Sequence, residues 1–198
     1  VVVAAVAARH RGLVQAAMEV MARDGLAGAS TRAIAEAAGV NKAMLHYSFP
    51  DKDALLLAVL AHILEDVRET LARAAARAPK PPAARLAALM RAYWRHVRAT
   101  PALQRVQYEL TLYALSQPGH AELARRQYAG YVEVVAGVLA GDEARPGAGH
   151  RHLAGLLVAT LDGLILQFLA DPRPRAAEQR LALAIAALST LLGDEADD

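Results

Sequence analysis

Cysteine is absent from all 198 residues, which excludes a disulfide framework, thiol chemistry and cysteine-ligated zinc and fits a reducing cytosol. Aromatic residues are only 5% of the chain, with a single tryptophan, and β-branched or aromatic runs are scarce. The alanine and leucine that dominate instead favour helices. A strong charge of one sign is missing too: the net +2 names no partner, so any attraction to nucleic acid must be local. Active-site patterns are equally absent. The seven histidines form neither H-E-x-x-H nor E-x-x-H, and His150 and His152, which flank an arginine, have weak metal spacing. No G-x-S-x-G accompanies the four serines and no Gly-Lys pair marks a P-loop. The sequence therefore yields no catalytic residue, no metal site and no cofactor, and we expect no enzyme.

What is present is 55% hydrophobic residue in a chain long enough to bury a real core. The opening VVVAAVAARH is too short to span a bilayer and reads as a frayed lead into the first helix. Residues 153–170, LAGLLVATLDGLILQFLA, approach the roughly 20 residues of a spanning helix. Asp162 near their middle would cost about 2.5–3.5 kcal/mol in a membrane, so a helix buried in protein is the better reading.

Prolines and glycines cut the chain into segments with apolar spacing of three and four. Leu13, Ala17, Val20 and Met21 make the face of a first helix that ends at Gly25. A long helix begins near Lys52 and carries Leu56, Leu60, Ile63, Val67 and Leu71; a fifth carries Leu86, Leu89, Met90, Tyr93 and Val97. Further helices are expected over about 102–116, 120–140, 153–170 and 175–192, with a clear loop at 141–149 and an acidic, solvated tail. The fold class is all-α, with about nine helices and no convincing strand. Short helices followed by long ones divide the chain into residues 1–51 and residues 52–198.

The stretch STRAIAEAAGVNKAMLHYSFPDK, residues 30–52, turns a sharp corner. Ser30 or Thr31 can cap a helix whose Ile34 and Ala38 point inward. Gly39 supplies the positive backbone dihedral of a tight turn, Val40 plugs it, Asn41 can cap the next helix and Leu45 anchors that helix. This is the layout of a helix-turn-helix. It would hold Lys42, Ala43, His46 and Tyr47 outward, with Asn41 at the start of the same face and no carboxylate between Glu36 and Asp51. Lys42 can read a guanine edge or grip a backbone oxygen, and Ala43 leaves room for a groove wall or a thymine methyl. Thr31 and Arg32 are placed to hold phosphates, as is Lys52 at the head of the fourth helix.

Residues 11–57 as a whole resemble the DNA-binding region of the tetracycline-repressor (TetR) family of bacterial regulators. The shared features are the helix ending in glycine, the T-x-x-I-A-x-x-A-G-V run, a leucine followed by aromatic or histidine residues and then Phe, and a lysine three residues past that Phe. The remainder resembles the family's variable half more loosely. The resemblance implies a cytoplasmic bacterial regulator, usually a repressor, that binds a palindromic operator as a homodimer and is released by a small molecule. It implies DNA contact at Lys42, His46, Tyr47 and Lys52, although the family commonly has Tyr where His46 stands and a bulkier residue where Ser48 stands. It also implies a dimer interface of two C-terminal helices, for which 153–170 and 175–192 are apolar enough.

In the helical body, Tyr93, Trp94, Gln107, Tyr108 and Thr111 are polar-tipped or aromatic residues on apolar faces, and are the ligand-binding candidates. They suit a largely apolar effector with one or two polar groups. Asp162 and Gln167 can face a cavity or pair with backbone or a partner helix, and the structural role is favoured. The alternative function is a helical module that binds a small molecule or a protein without reading DNA.

Overall fold

The structure, a computed structural model, describes residues 2–141 and 145–194. Residues 142–144 of the expected loop and the last four residues of the acidic tail lie outside the described residues. Among the described residues the regular elements are nine α-helices: α1 (Val2–Gly28), α2 (Thr31–Ala37), α3 (Lys42–Ser48), α4 (Lys52–Ala75), α5 (Pro82–Ala99), α6 (Pro101–Ser116), α7 (Ala121–Ala140), α8 (Ala148–Ala170) and α9 (Pro174–Asp194). Each expected segment forms. The opening stretch differs, since α1 is helical from Val2 onward rather than frayed.

The chain resolves into two compact units, Val1–Glu65 with Ala102–Gln127 and Asp66–Pro101 with Tyr128–Asp198. In the first unit, Leu13, Ala17, Val20 and Met21 of α1 meet Ile34 and Ala35 of α2, Leu45 of α3 and Leu55, Leu56, Val59 and Ile63 of α4 in one buried cluster. Val106 and Leu110 of α6 belong to the same cluster. α1 is broken at Gly25, whose φ of 71° and ψ of 171° lie in a region that only glycine populates freely. The Leu26 N–H freed at that break donates to the Glu109 carboxylate of α6 at 2.7 Å. A side chain 83 residues away thus satisfies a backbone donor that the helix cannot.

In the second unit, α5 buries the expected face, with Leu86, Leu89, Met90, Tyr93 and Val97 all inside and Trp94 beside them. Trp94 meets Phe168 of α8 edge to face, with ring centroids 5.5 Å apart. α8 is long and apolar enough to cross a membrane by length and composition alone. It buries Ala154, Leu157, Val158, Leu161, Ile165 and Phe168 within the unit. Its other face leaves Leu156 and Leu166 exposed, so burial in protein holds for one face of this helix in the single chain. α9 likewise buries Leu181, Ile185 and Leu188 and exposes Leu183 and Leu191.

Candidate nucleic-acid interface

The corner between α2 and α3 is closed by backbone geometry before any side chain acts. Gly39 takes φ 67°, its N–H donates to the Glu36 carbonyl at 3.0 Å and the Val40 N–H donates to the Ala35 carbonyl at 2.9 Å. These two bonds form a Schellman motif, which ends α2 and satisfies its last carbonyls. Ser30, not Thr31, caps α2: its hydroxyl accepts from the Ala33 N–H at 3.1 Å. Asn41 caps α3 through its side-chain oxygen, 2.8 Å from the Met44 N–H. Asp51 caps α4 in the same way, accepting from the Ala54 N–H at 2.7 Å. Three consecutive helices therefore begin on a side-chain oxygen, each replacing a backbone partner the first turn lacks.

With both short helices capped, their orientation follows from what they bury. Ile34 and Ala35 hold α2, and Leu45, 1% exposed, holds α3. Phe49 is buried just beyond α3, its ring centroid 4.4 Å from that of His10 on α1. Because Leu45 points inward, Asn41, Lys42, Ala43, His46 and Tyr47 are exposed, Tyr47 to 80%. Arg32 is exposed on α2, while Thr31 and Lys52 are half-buried at the first turns of α2 and α4. All eight predicted DNA-facing residues thus lie at the starts or along the outward faces of three capped helices in one unit. The face offers a guanidinium, two ammonium groups and an imidazole. The Ser48 hydroxyl donates back to the Met44 carbonyl at 3.1 Å, within its own helix.

The predicted ligand-binding residues are all buried. Gln107, Tyr108 and Thr111 lie on α6 in the first unit, and Tyr93 and Trp94 lie on α5 in the second. The Thr111 hydroxyl stands 2.9 Å from both the Gln107 carbonyl and Gln127 Oε1, and its single proton serves one of them at a time. Gln107 Oε1 accepts no hydrogen bond among the described residues. Gln104, Gln107, Thr111 and Gln127 are the buried polar side chains among the described residues, all in α6 and the first turns of α7. Sequence reasoning missed Gln104 and Gln127. The first shares a helical stripe with Gln107 and Thr111 and could have been found by spacing; the second carried no such signal.

In the second unit, burial pushes the Tyr93 hydroxyl's pKa well above its ordinary value, helped by the neighbouring Tyr131, Asp162 and Asp66. Tyr128 is raised by burial and by Asp162, whose carboxylate accepts its hydroxyl proton in a hydrogen bond. Both phenols stay neutral donors at any physiological pH. Asp162 thus engages a side chain of α7 from the middle of α8, which agrees with the structural role expected of it. Asp66 of α4 also pairs with His96 of α5 at 3.0 Å.

The comparisons with known proteins agree with this geometry. A family model described as bacterial regulatory proteins, tetR family, matches residues 13–59, and one described as tetracyclin repressor-like, C-terminal domain, matches residues 81–193. The HTH-type nicotine-responsive transcriptional repressor HdnoR of Paenarthrobacter nicotinovorans is 29% identical over 166 residues, covering 83% of this chain and 85% of its own. A transcriptional regulator from Rhodococcus has a similar solved structure, with a TM-score of 0.71 and 26% identity over 90% of this chain and 95% of that one. So has the multidrug binding protein EbrR complexed with ethidium, at a TM-score of 0.71 and 28% identity over 91% of this chain and 97% of that one. With a helix-turn-helix at residues 31–48 and family models covering both halves, this chain belongs to the TetR family of bacterial helix-turn-helix transcriptional regulators.

Proposed function

We propose that this regulator is a repressor that binds a palindromic operator as a homodimer and leaves it when a small, largely apolar effector binds. The observation that carries the reading is the outward face of α3, where Lys42, Ala43, His46 and Tyr47 stand exposed around a fully buried Leu45. Lys42 and Tyr47 reach base edges or phosphates, Ala43 lets the groove wall approach, and His46 donates to a phosphate. Thr31, Arg32 and Lys52 grip the backbone on either side, and Asn41 fixes the start of α3. Residues 1–51 read DNA, and residues 52–198 bind effector and dimerise through α8 and α9. The protein works where the operator is, in the bacterial cytoplasm.

Tyr93, Trp94, Gln107, Tyr108 and Thr111 are the effector-contact candidates. Supporting them are their burial and the polar side chains of α6 set in an apolar interior. The likeness to a nicotine-responsive repressor and to a multidrug binding protein complexed with ethidium supports a small organic effector.

Selection of binding sites from random duplex DNA at about 150 mM salt, where non-specific phosphate binding is already weakened, tests the reading. One enriched palindrome is expected, with Lys42→Ala weakening it. No enrichment, and a Lys42→Ala variant that behaves like wild type, would remove DNA reading from this chain.

A further inference from the structure

Within the second unit a cavity of about 290 Å³ opens between α5 and α9. Arg91, Trp94, Arg95 and Arg98 line it from α5, and Glu178 and Leu181 from α9. The volume sits near the lower end of the roughly 300–1,000 Å³ typical of small-molecule pockets. The three arginines fall at spacings of four and three, which brings them to one helix face together with Trp94.

The donor and acceptor balance of the lining is lopsided. Guanidinium and indole groups only donate, and Glu178 is the one acidic side chain in the wall. That carboxylate is taken by Arg98 in an ion pair. Arg91 and Arg95 form no ion pair among the described residues and remain as uncompensated positive charge at the rim. Trp94 is 2% exposed, yet its Nε1–H has no acceptor among the described residues. A buried donor without a partner is costly, and this one is closed off from solvent, so the two arginines rather than the indole N–H carry the demand for an acceptor. Below the charged rim, Leu181 and Ile185 supply an apolar floor. We propose that this cavity binds a small organic anion, a carboxylate carrying a short apolar body, with Arg91 and Arg95 holding the carboxylate and Trp94 and Leu181 covering the body. Such a molecule supplies what Arg91 and Arg95 lack, a negatively charged acceptor, and its body covers the apolar floor. The site shares Trp94 with the effector-contact candidates, so it rests on that reading and names the effector's chemical class, but it uses none of the DNA-facing residues.

Trp94 is the chain's single tryptophan, so its fluorescence reports on this cavity directly. Octanoate is the probe, with 1-octanol and octyltrimethylammonium as the neutral and cationic controls of equal chain length. A saturable change in Trp94 emission is expected with octanoate, and a much weaker response with either control. Arg91→Gln/Arg95→Gln removes two exposed charges without touching the core and should weaken octanoate by at least about tenfold, the scale of a lost charge-assisted hydrogen bond. Ala182→Leu, which fills the cavity from α9 and leaves every charge in place, should do the same. Octanoate without effect up to about 10 mM, an affinity weaker than typical small-molecule binding, would overturn the proposal. So would a response matched by octanol, or a curve that both variants leave unchanged.

Discussion

Gly39 and Gly25 both carry positive φ, and each makes a different demand on the chain. At Gly39 a Cβ would meet nothing within 4 Å, so Gly39→Ala costs only the left-handed backbone, about 1–2 kcal/mol. At Gly25 a Cβ would stand 3.7 Å from the Glu109 carboxylate, an ordinary contact, but the backbone itself lies where other residues rarely go, at a cost of about 1–3 kcal/mol. Chemical denaturation should therefore rank Gly25→Ala as the more damaging, with Gly39→Ala measurably destabilised as well. A Gly39→Ala variant as stable as wild type would mean that the α2–α3 corner relaxes to a different turn. Residues of this kind were legible in the sequence because their signals are local. A glycine after a capped amphipathic run, followed by an aliphatic and then a leucine five further on, has few other uses. The choice between Ser30 and Thr31 as cap was not legible, since both hydroxyls can accept and only the position of the first turn decides.

At the scale of elements, α6 is where sequence and structure part. Chain order groups it with α5 and α7, yet Val106 and Leu110 enter the same core as α1–α4, and Glu109 completes α1 at its break. No periodicity reveals a hydrogen bond across 83 residues. A second tie of this kind joins the start of α7 to α4: His120 Nε2 stands 2.8 Å from Asp53 Oδ2, while its Nδ1 faces the Pro118 carbonyl at 3.2 Å. The Tyr113 ring lies alongside, with centroids 6.2 Å apart. The hydrogen bond to Asp53 raises the His120 pKa, with smaller help from the Asp53 and Asp51 charges and the Pro118 carbonyl. Because the folded value exceeds the unfolded one, the stabilisation is complete below the ordinary histidine value of about 6.5 and is lost as pH climbs through the raised value. Thermal unfolding at pH 6 and pH 8.5 should show wild type losing more Tm across that interval than His120→Gln. Equal losses would mean that the imidazole and Asp53 are not coupled in solution. The exposure of the pair keeps the expected effect small.

At the scale of the whole molecule, the apolar character of α8 and α9 was plain in the sequence, but the way each divides its apolar residues was not. Helical periodicity reports that a face is apolar; it does not report whether the same chain or a second copy covers it. In the single chain Leu157, Leu161, Leu181 and Ile185 are buried, while Leu156, Leu166, Leu183 and Leu191 are left exposed. Four exposed leucines on two neighbouring helices suit a two-fold interface, in which each substitution acts twice. Leu183, 71% exposed, is the sharpest probe. In the single chain Leu183→Glu puts a carboxylate in water and should leave folding intact. In a dimer through α8 and α9 it buries two unpaired carboxylates, at about 3 kcal/mol or more each, which weakens association on the order of 10⁴-fold. Sedimentation should then report a folded monomer for Leu183→Glu and a dimer for wild type. Leu112→Glu is the control, because Leu112 is 65% exposed and belongs to α6 rather than to α8 or α9. Operator binding should follow association, since a palindrome is gripped tightly only when both half-sites are held by one particle. A Leu183→Glu protein that stays dimeric and keeps its operator affinity would move the interface off α9, and one that is monomeric yet binds the full palindrome as wild type does would separate DNA reading from dimerisation.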